Sequence, residues 1–375
     1  MKQLTFILVA LILSACSNIK KQKFTERIIK DGVEYTQEVK IDFVTETGEI
    51  DSPYLNSIHC TKLNSISFPE NKLQNAVKDQ EVIPYDLTKS DIKSGTASYY
   101  AIFTAYHFIQ ASEYYNNLMK EFVEPNIKDK DKNITVSIAD QMPIANNNSH
   151  FVYSQKGKIS PSPIYHKVGH RYEAFLREYT KAKYQKNRYI SIGFMEYFTT
   201  SLNNSPLIFE GEVPPLMVRD VSIKLSYPIN TEYCNTYRSI LDLKEAYSDI
   251  YKDENSTMHH YIDIVLKSKE TLKYLLDTHS AGMYISYPLW KIRETIGAKK
   301  ADHLIMHAWT MLADEAKNNT TFYEANNGEN VDDTIDWYTV VHALLKADQI
   351  DHNGENKELI RTIFTSINLP VERVQ

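Results

Sequence analysis

The hydrophobic period of this chain changes along its length, and that change narrows the fold more than any other feature. Early apolar residues alternate with polar ones, as in Val39-Lys40-Ile41-Asp42-Phe43-Val44 and Ser65-Ile66-Ser67-Phe68. A period of two puts alternate side chains on one face of a strand, so residues 31–85 read as strands and turns. Asn133-Ile134-Thr135-Val136-Ser137-Ile138 reads the same way, and His150-Phe151-Val152-Tyr153 reads as a strand at a sheet edge. One stretch interrupts this: Tyr99, Ile102, Phe103, Tyr106, Ile109 and Tyr114 recur at helical spacing across 96–122. From residue 163 the helical period takes over. Segments 164–182, 190–203, 236–249, 256–276, 283–296, 299–316, 333–348 and 355–367 all read as helices, separated by loops rich in Asn, Pro and Gly. Strands first and helices afterwards predict an α+β fold with segregated halves. Trp290, Trp309 and Trp337 read as helix-packing core.

The first residues have a separate logic. Met1-Lys2-Gln3 is cationic, and Leu4 to Leu13 is an apolar run of about ten residues. A membrane-spanning helix needs roughly twenty, so this run reads as a secretory signal. It ends Leu13-Ser14-Ala15-Cys16, which resembles the bacterial lipobox. That resemblance implies cleavage before Cys16, lipidation of its thiol and amine (palmitate among the acyl chains), and anchoring to a membrane of the cell envelope. Ser17 in place of Asp is compatible with the outer membrane. More than one acyl chain makes such an anchor stable. Residues 1–16 are therefore expected to be a lipoprotein signal ending at Cys16. Residues 17–30 should be a polar, basic tether, 31–95 a β-rich region, 96–185 a subdomain carrying the motif described below, and 186–375 a helical subdomain.

The formal charge of −6 leaves no basic footprint, so nucleic acid is not an expected partner. Apart from Cys16 only Cys60 and Cys234 are present. In an oxidising compartment they could form one disulfide, or remain two buried thiols; spacing alone does not decide.

The segment Tyr165-His166-Lys167-Val168-Gly169-His170 carries two His at i and i+4, on one face of a helix. This is the spacing of HExxH zinc peptidases. Ser191-Ile192-Gly193-Phe194-Met195-Glu196-Tyr197-Phe198 follows about twenty residues later. Upstream lie Asn148-Ser149-His150-Phe151 and the helix from Ser98; downstream come Asp277-Thr278-His279-Ser280-Ala281-Gly282 and Ile285-Ser286-Tyr287-Pro288-Leu289-Trp290. Together these segments resemble, in order, the motifs of thermolysin-like and fungalysin-like metallopeptidases (gluzincins) across roughly 96–370. Residues 17–95 and 231–275 fall outside the likeness. The resemblance implies a thermolysin-like fold. It implies a peptide-binding edge strand at Asn148 and Ser149, metal ligands at His166 and His170, and a transition-state hydrogen-bond donor at His279, oriented by Asp277.

Two positions depart from the family pattern. The general base falls on Lys167, which donates but cannot accept a proton when charged. The third zinc ligand falls on Ile192, which cannot coordinate. Glu196 stands at the position that orients a ligating His. Lys167 and Glu196 are expected either to form a buried ion pair, or to part, with Lys167 running along the cleft to solvent. Loss of base and ligand together removes both proton transfer and water activation. The expected function is therefore that of a cell-envelope lipoprotein that binds protein or peptide in an inherited cleft, without enzymatic activity. No cofactor is expected, zinc being possible only if the site is retained. The alternatives are a zinc-dependent peptidase with non-standard residues, His166, His170 and Glu196 among them, and a purely structural envelope component.

Overall fold

The computed structural model describes residues 22–30, 33–63, 80–89, 92–125, 132–139, 150–154, 160–180, 188–208, 218–246, 277–318 and 337–369, with a few single positions between them. Cys16, Asn148, Ser149, the strand expected at 65–68 and most of the helix expected at 256–276 lie outside the described residues. Among the described residues no helix is long and apolar enough to cross a membrane.

The chain is mixed α and β, with small sheets early and helices later. Strands β1 (Gln22–Lys30) and β2 (Val33–Ile41) pair antiparallel along their whole length. Residues 22–30 are thus not tether but the first strand. Phe24 and Glu26 alternate inward with exposed Lys23 and Thr25 outward, and Val39 and Ile41 bury the same side of β2. That side meets helix α1 (Ala97–Met119), where Phe24 packs edge-on against Tyr99 and Tyr106.

A second sheet runs in the order β4 (Gln80–Val82), β3 (Ser57–Leu63), β5 (Asn133–Ala139), β6 (His150–Ser154). β3, β5 and β6 are parallel and β4 is antiparallel to β3. A parallel pair needs a crossover between its strands, and the segment between β3 and β5 contains α1. β6 closes one end of the sheet, in agreement with the edge expected there. α1 begins at Thr96, whose hydroxyl accepts from Tyr99 N, and it is buried on most sides, as suits a helix between a sheet and other helices. Tyr100 stacks on Tyr153 of β6, and the Thr104 and Tyr153 hydroxyls lie 2.8 Å apart.

Helix α2 (Ser162–Thr180) packs on α1 through Tyr172, which stacks on Tyr115 and donates to Ser112 O. Helix α3 (Arg188–Asn203) lies against α2 and, most extensively, against α5 (Thr278–Ile296). Between α3 and α5 the chain forms a two-stranded ribbon, β7 (Leu207–Ile208) with β8 (Arg219–Asp220), and helix α4 (Thr236–Ala246). Helices α6 (Ala298–Asn318), α7 (Trp337–His352) and α8 (Lys357–Ser366) complete the helical part. Trp309 is core, stacking on Phe194 and Phe198 of α3. Trp290 joins a separate cluster with Ile208 and Val221, which pins the ribbon to α5.

Cys60 and Cys234 are buried free thiols, Cys60 in β3 and Cys234 before α4. The disulfide reading is therefore set aside. Burial pushes each thiol up to about 12, Asp277 adding to the effect at Cys234, so both remain protonated near neutral pH.

Candidate functional site: three histidines and a buried carboxylate

Two close helix crossings build the site. At Gly169 of α2, a Cβ would lie 2.5 Å from Met195 Cγ and 2.7 Å from Tyr115 Oη. At Gly193 of α3, it would lie 2.3 Å from Ile285 Cβ and 2.6 Å from Gly282 O. Glycine lets the backbones approach to a distance that no side chain permits. The first crossing sets α2 on α3, and the second draws the N-terminal half of α5 against α3.

The i,i+4 pair behaves as its spacing requires. His166 and His170 lie one turn apart on α2, their ring centroids 4.8 Å apart. His166 is buried and His170 half-buried. The α5 terminus brings in His279, whose ring lies 5.1 Å from His166 and 5.7 Å from His170. One nitrogen from each of the three imidazoles falls within 4.8 Å of the other two. Burial holds His166 well below the usual imidazole range, and the charges of His170, His279, Arg219 and Lys167 push it the same way. It is therefore neutral, with a lone pair on one nitrogen, at neutral pH.

Asp277 was expected to orient His279, and it does so through the backbone. It is the N-cap of α5, its carboxylate accepting from His279 N at 3.0 Å and from Ser280 Oγ at 2.8 Å. The ring of His279 is held instead by Glu196. Its Oε1 lies 3.1 Å from His279 Nδ1, and Ser286 Oγ approaches Oε2 at 3.5 Å. Glu196 is fully buried on α3. Its charge is met by Arg219 of β8, with Nε 2.9 Å from Oε1. Sequence reasoning missed Arg219 because a two-residue strand has no period to read.

The ion pair considered between Lys167 and Glu196 is replaced by Arg219–Glu196. Lys167 Nζ instead lies 5.1 Å from the ring centroid of Phe151 on β6, a cation–π distance. Ile192, where the resemblance led a third ligand to be expected, is fully buried against Gly282 of α5. It contributes to the helix crossing and cannot coordinate. A zinc ion bound in the manner of the gluzincins would lack its carboxylate ligand here. Three imidazoles nevertheless form a donor set that suits a divalent transition ion. Glu196 on the Nδ1 side of His279 is the kind of partner that fixes the tautomer of a metal-bound imidazole, leaving the lone pair on Nε2.

A second buried polar chain lies behind α2. Glu26 of β1 bonds His107 Nε2, and His107 Nδ1 lies 2.8 Å from Tyr165 Oη, the residue before His166. Gln37 of β2 donates to the other Glu26 oxygen at 2.6 Å. A third chain joins α3 to α6. Asp302 accepts from Tyr197 Oη at 2.6 Å and from Ser201 Oγ at 2.7 Å. These chains tie α2 to α1 and β1, and α3 to α6.

No family model matches the chain, and no curated protein matches it in sequence.

Proposed function

We propose that this chain is a lipid-anchored protein of the bacterial cell envelope, most compatible with the outer membrane, whose thermolysin-like body binds protein or peptide instead of hydrolysing it. The observation that carries the reading is the pairing of Lys167 with the face of Phe151. The residue in the general-base position carries a cationic group, directed to the sheet's edge strand. A group with no proton-accepting lone pair cannot deprotonate an attacking water. The edge position of β6 supports the binding half of the proposal. On its outer side β6 has no strand partner among the described residues, and an extended chain can add there by main-chain hydrogen bonds. The lipid anchor rests on the Leu13-Ser14-Ala15-Cys16 sequence.

The test uses the mature chain in detergent with fluorescently labelled unfolded casein. Saturable binding by anisotropy, with the casein intact on a gel after overnight incubation with zinc, is the expected result. Zinc-dependent cleavage that a chelator stops would overturn the reading in favour of a hydrolase with non-standard residues. That alternative is favoured by the approach of His279 to the α2 pair, because three imidazoles alone can activate a metal-bound water. Neither binding nor cleavage would leave a structural role and also refute the proposal. Radiolabelled palmitate incorporated by wild type and absent from Cys16→Ser tests the anchor.

A further inference from the structure

We propose that His166, His170 and His279 form a binding site for a divalent transition metal, zinc foremost, with Glu196 as the carboxylate that positions His279. The site depends on where three rings lie and not on the peptide-binding reading; either can fail without the other.

Distance is the first argument. Tetrahedral zinc at about 2.05 Å from each nitrogen sets those nitrogens about 3.3 Å apart. Here they lie within 4.8 Å of one another. Closing the difference of about 1.5 Å is within side-chain rotation, since His170 and His279 are only half-buried. The two α2 histidines are one turn apart, and His279 reaches them from α5, which Gly193 and Gly282 hold close against α3. The metal-binding face is therefore set by backbone packing, which stays in place without the ion.

Charge is the second argument. Three imidazole ligands bring no negative charge, so a bound ion keeps both positive charges. Glu196 lies behind His279 and takes the imidazole N–H, which makes the far nitrogen a better donor. Arg219 is engaged with Glu196, and Lys167 with Phe151. These two cations place the affinity below that of a site with a carboxylate ligand. They also favour an oxygen anion as the fourth donor.

Chemistry is the third argument. Replacing the glutamate ligand with an alkyl group at Ile192 would leave only two donors in the family arrangement. His279 makes up the number from a different helix. The set becomes His-His-His, in place of the His-His-Glu that the resemblance implies.

The experiment is metal titration of the full mature chain in detergent, stripped with chelator and then dialysed. Zinc stoichiometry is read by atomic emission, affinity by competition with a chromogenic chelator, and cobalt substitution by visible absorption. One equivalent of zinc and the intense visible bands of four-coordinate cobalt are expected. His279→Ala should weaken zinc at least a hundredfold and abolish those bands. Glu196→Gln should weaken it about 10–100-fold, as loss of an outer-shell partner does, while retaining the bands. His303→Ala, on α6 and outside the site, is the control and should match wild type. Circular dichroism checks each variant for folding, and His279→Gln serves where the alanine variant does not fold. Less than about 0.1 equivalent in wild type would overturn the proposal. So would wild-type affinity in folded His279→Ala or His279→Gln, which would assign any zinc to the α2 pair alone.

Discussion

Gly193→Ala tests how the site is assembled. The added Cβ would sit 2.3 Å from Ile285 Cβ and 2.6 Å from Gly282 O. Apolar carbons rest at about 3.5–4.0 Å, so α3 and α5 must separate by about 1.2 Å or more. Neither obstructing atom lies at the far end of a rotatable side chain, so the strain falls on the backbones. Overpacking of this kind costs about 1–3 kcal/mol, and the lack of a rotamer escape puts this case at or above the upper end. Against it stands a gain of about 1 kcal/mol, because alanine favours a helix interior over glycine. The clash wins, and the net destabilisation is about 2 kcal/mol. With a urea m-value near 3 kcal/mol/M, that lowers the unfolding midpoint by about 0.7 M. Two further variants give the comparison. Gly282→Ala meets its nearest atoms at 3.1–3.3 Å, a few tenths too close, so its cost and its propensity gain should nearly cancel. Gly169→Ala meets Met195 Cγ at 2.5 Å and Tyr115 Oη at 2.7 Å, side-chain atoms rather than backbone, and should fall between the two. The order Gly193, Gly169, Gly282 is the prediction. A midpoint for Gly193→Ala equal to or above wild type would refute the crossing geometry, as would Gly282→Ala costing more.

Other outcomes follow from the buried charges and thiols. Arg219→Ala removes the guanidinium from the fully buried Glu196, leaving His279 and Ser286 beside its carboxylate, and should cost about 3 kcal/mol, the lower end for a broken buried pair; a loss below about 1 kcal/mol in chemical denaturation would mean the pair is not closed in solution. For Glu26, burial alone would raise the carboxyl, but the hydrogen bond and charge of His107, with help from Gln37, hold it below the usual range. A lowered folded value contributes stability that is complete above the unfolded carboxyl, near pH 4.3, and lost as pH falls through the folded value. Glu26→Gln should accordingly flatten the decline of stability below about pH 4.3; parallel curves for wild type and variant would contradict the pairing. Cys60 and Cys234 should resist iodoacetamide at pH 8 in the native protein and react fully in guanidinium, as read by peptide mass mapping. A Cys60–Cys234 crosslinked peptide under non-reducing conditions would contradict the free-thiol assignment.

The helices were legible because their periodicity is local. α1, α2 and α3 begin and end within a few residues of the spans their apolar spacing predicts. α7 is described from Trp337 and ends four residues later than expected, running to His352, where Asn353 takes a positive φ and ends it. β1 was missed because its inward face carries Glu26 beside Phe24, and a carboxylate at a buried position disguises alternation as a charged linker. In the site, His166 and His170 follow from helical geometry alone. The meeting of His279 with them, and of Arg219 with Glu196, depends on how far apart the helices pack. The scarce glycines inside helices, Gly169, Gly193 and Gly282, were the available sign of a close approach. They say that two backbones meet, without saying which.

The hairpin of β1 and β2 bears on how such a body would stand on a membrane. Only six backbone steps separate Cys16 from Gln22. At about 3.5 Å each they reach about 20 Å when fully extended. If Cys16 carries lipid, the protein is held short, like a lamp on a bracket instead of a kite on a string. The bracket ends at Glu26, whose contacts run through His107 and Tyr165 to the turn of α2 that bears His166. The tilt of the histidine face above the bilayer would then depend on how this hairpin packs on α1, through Phe24 on Tyr99 and Tyr106 and Glu26 on His107, and Glu26→Gln would loosen the orientation of the site while leaving the anchor in place.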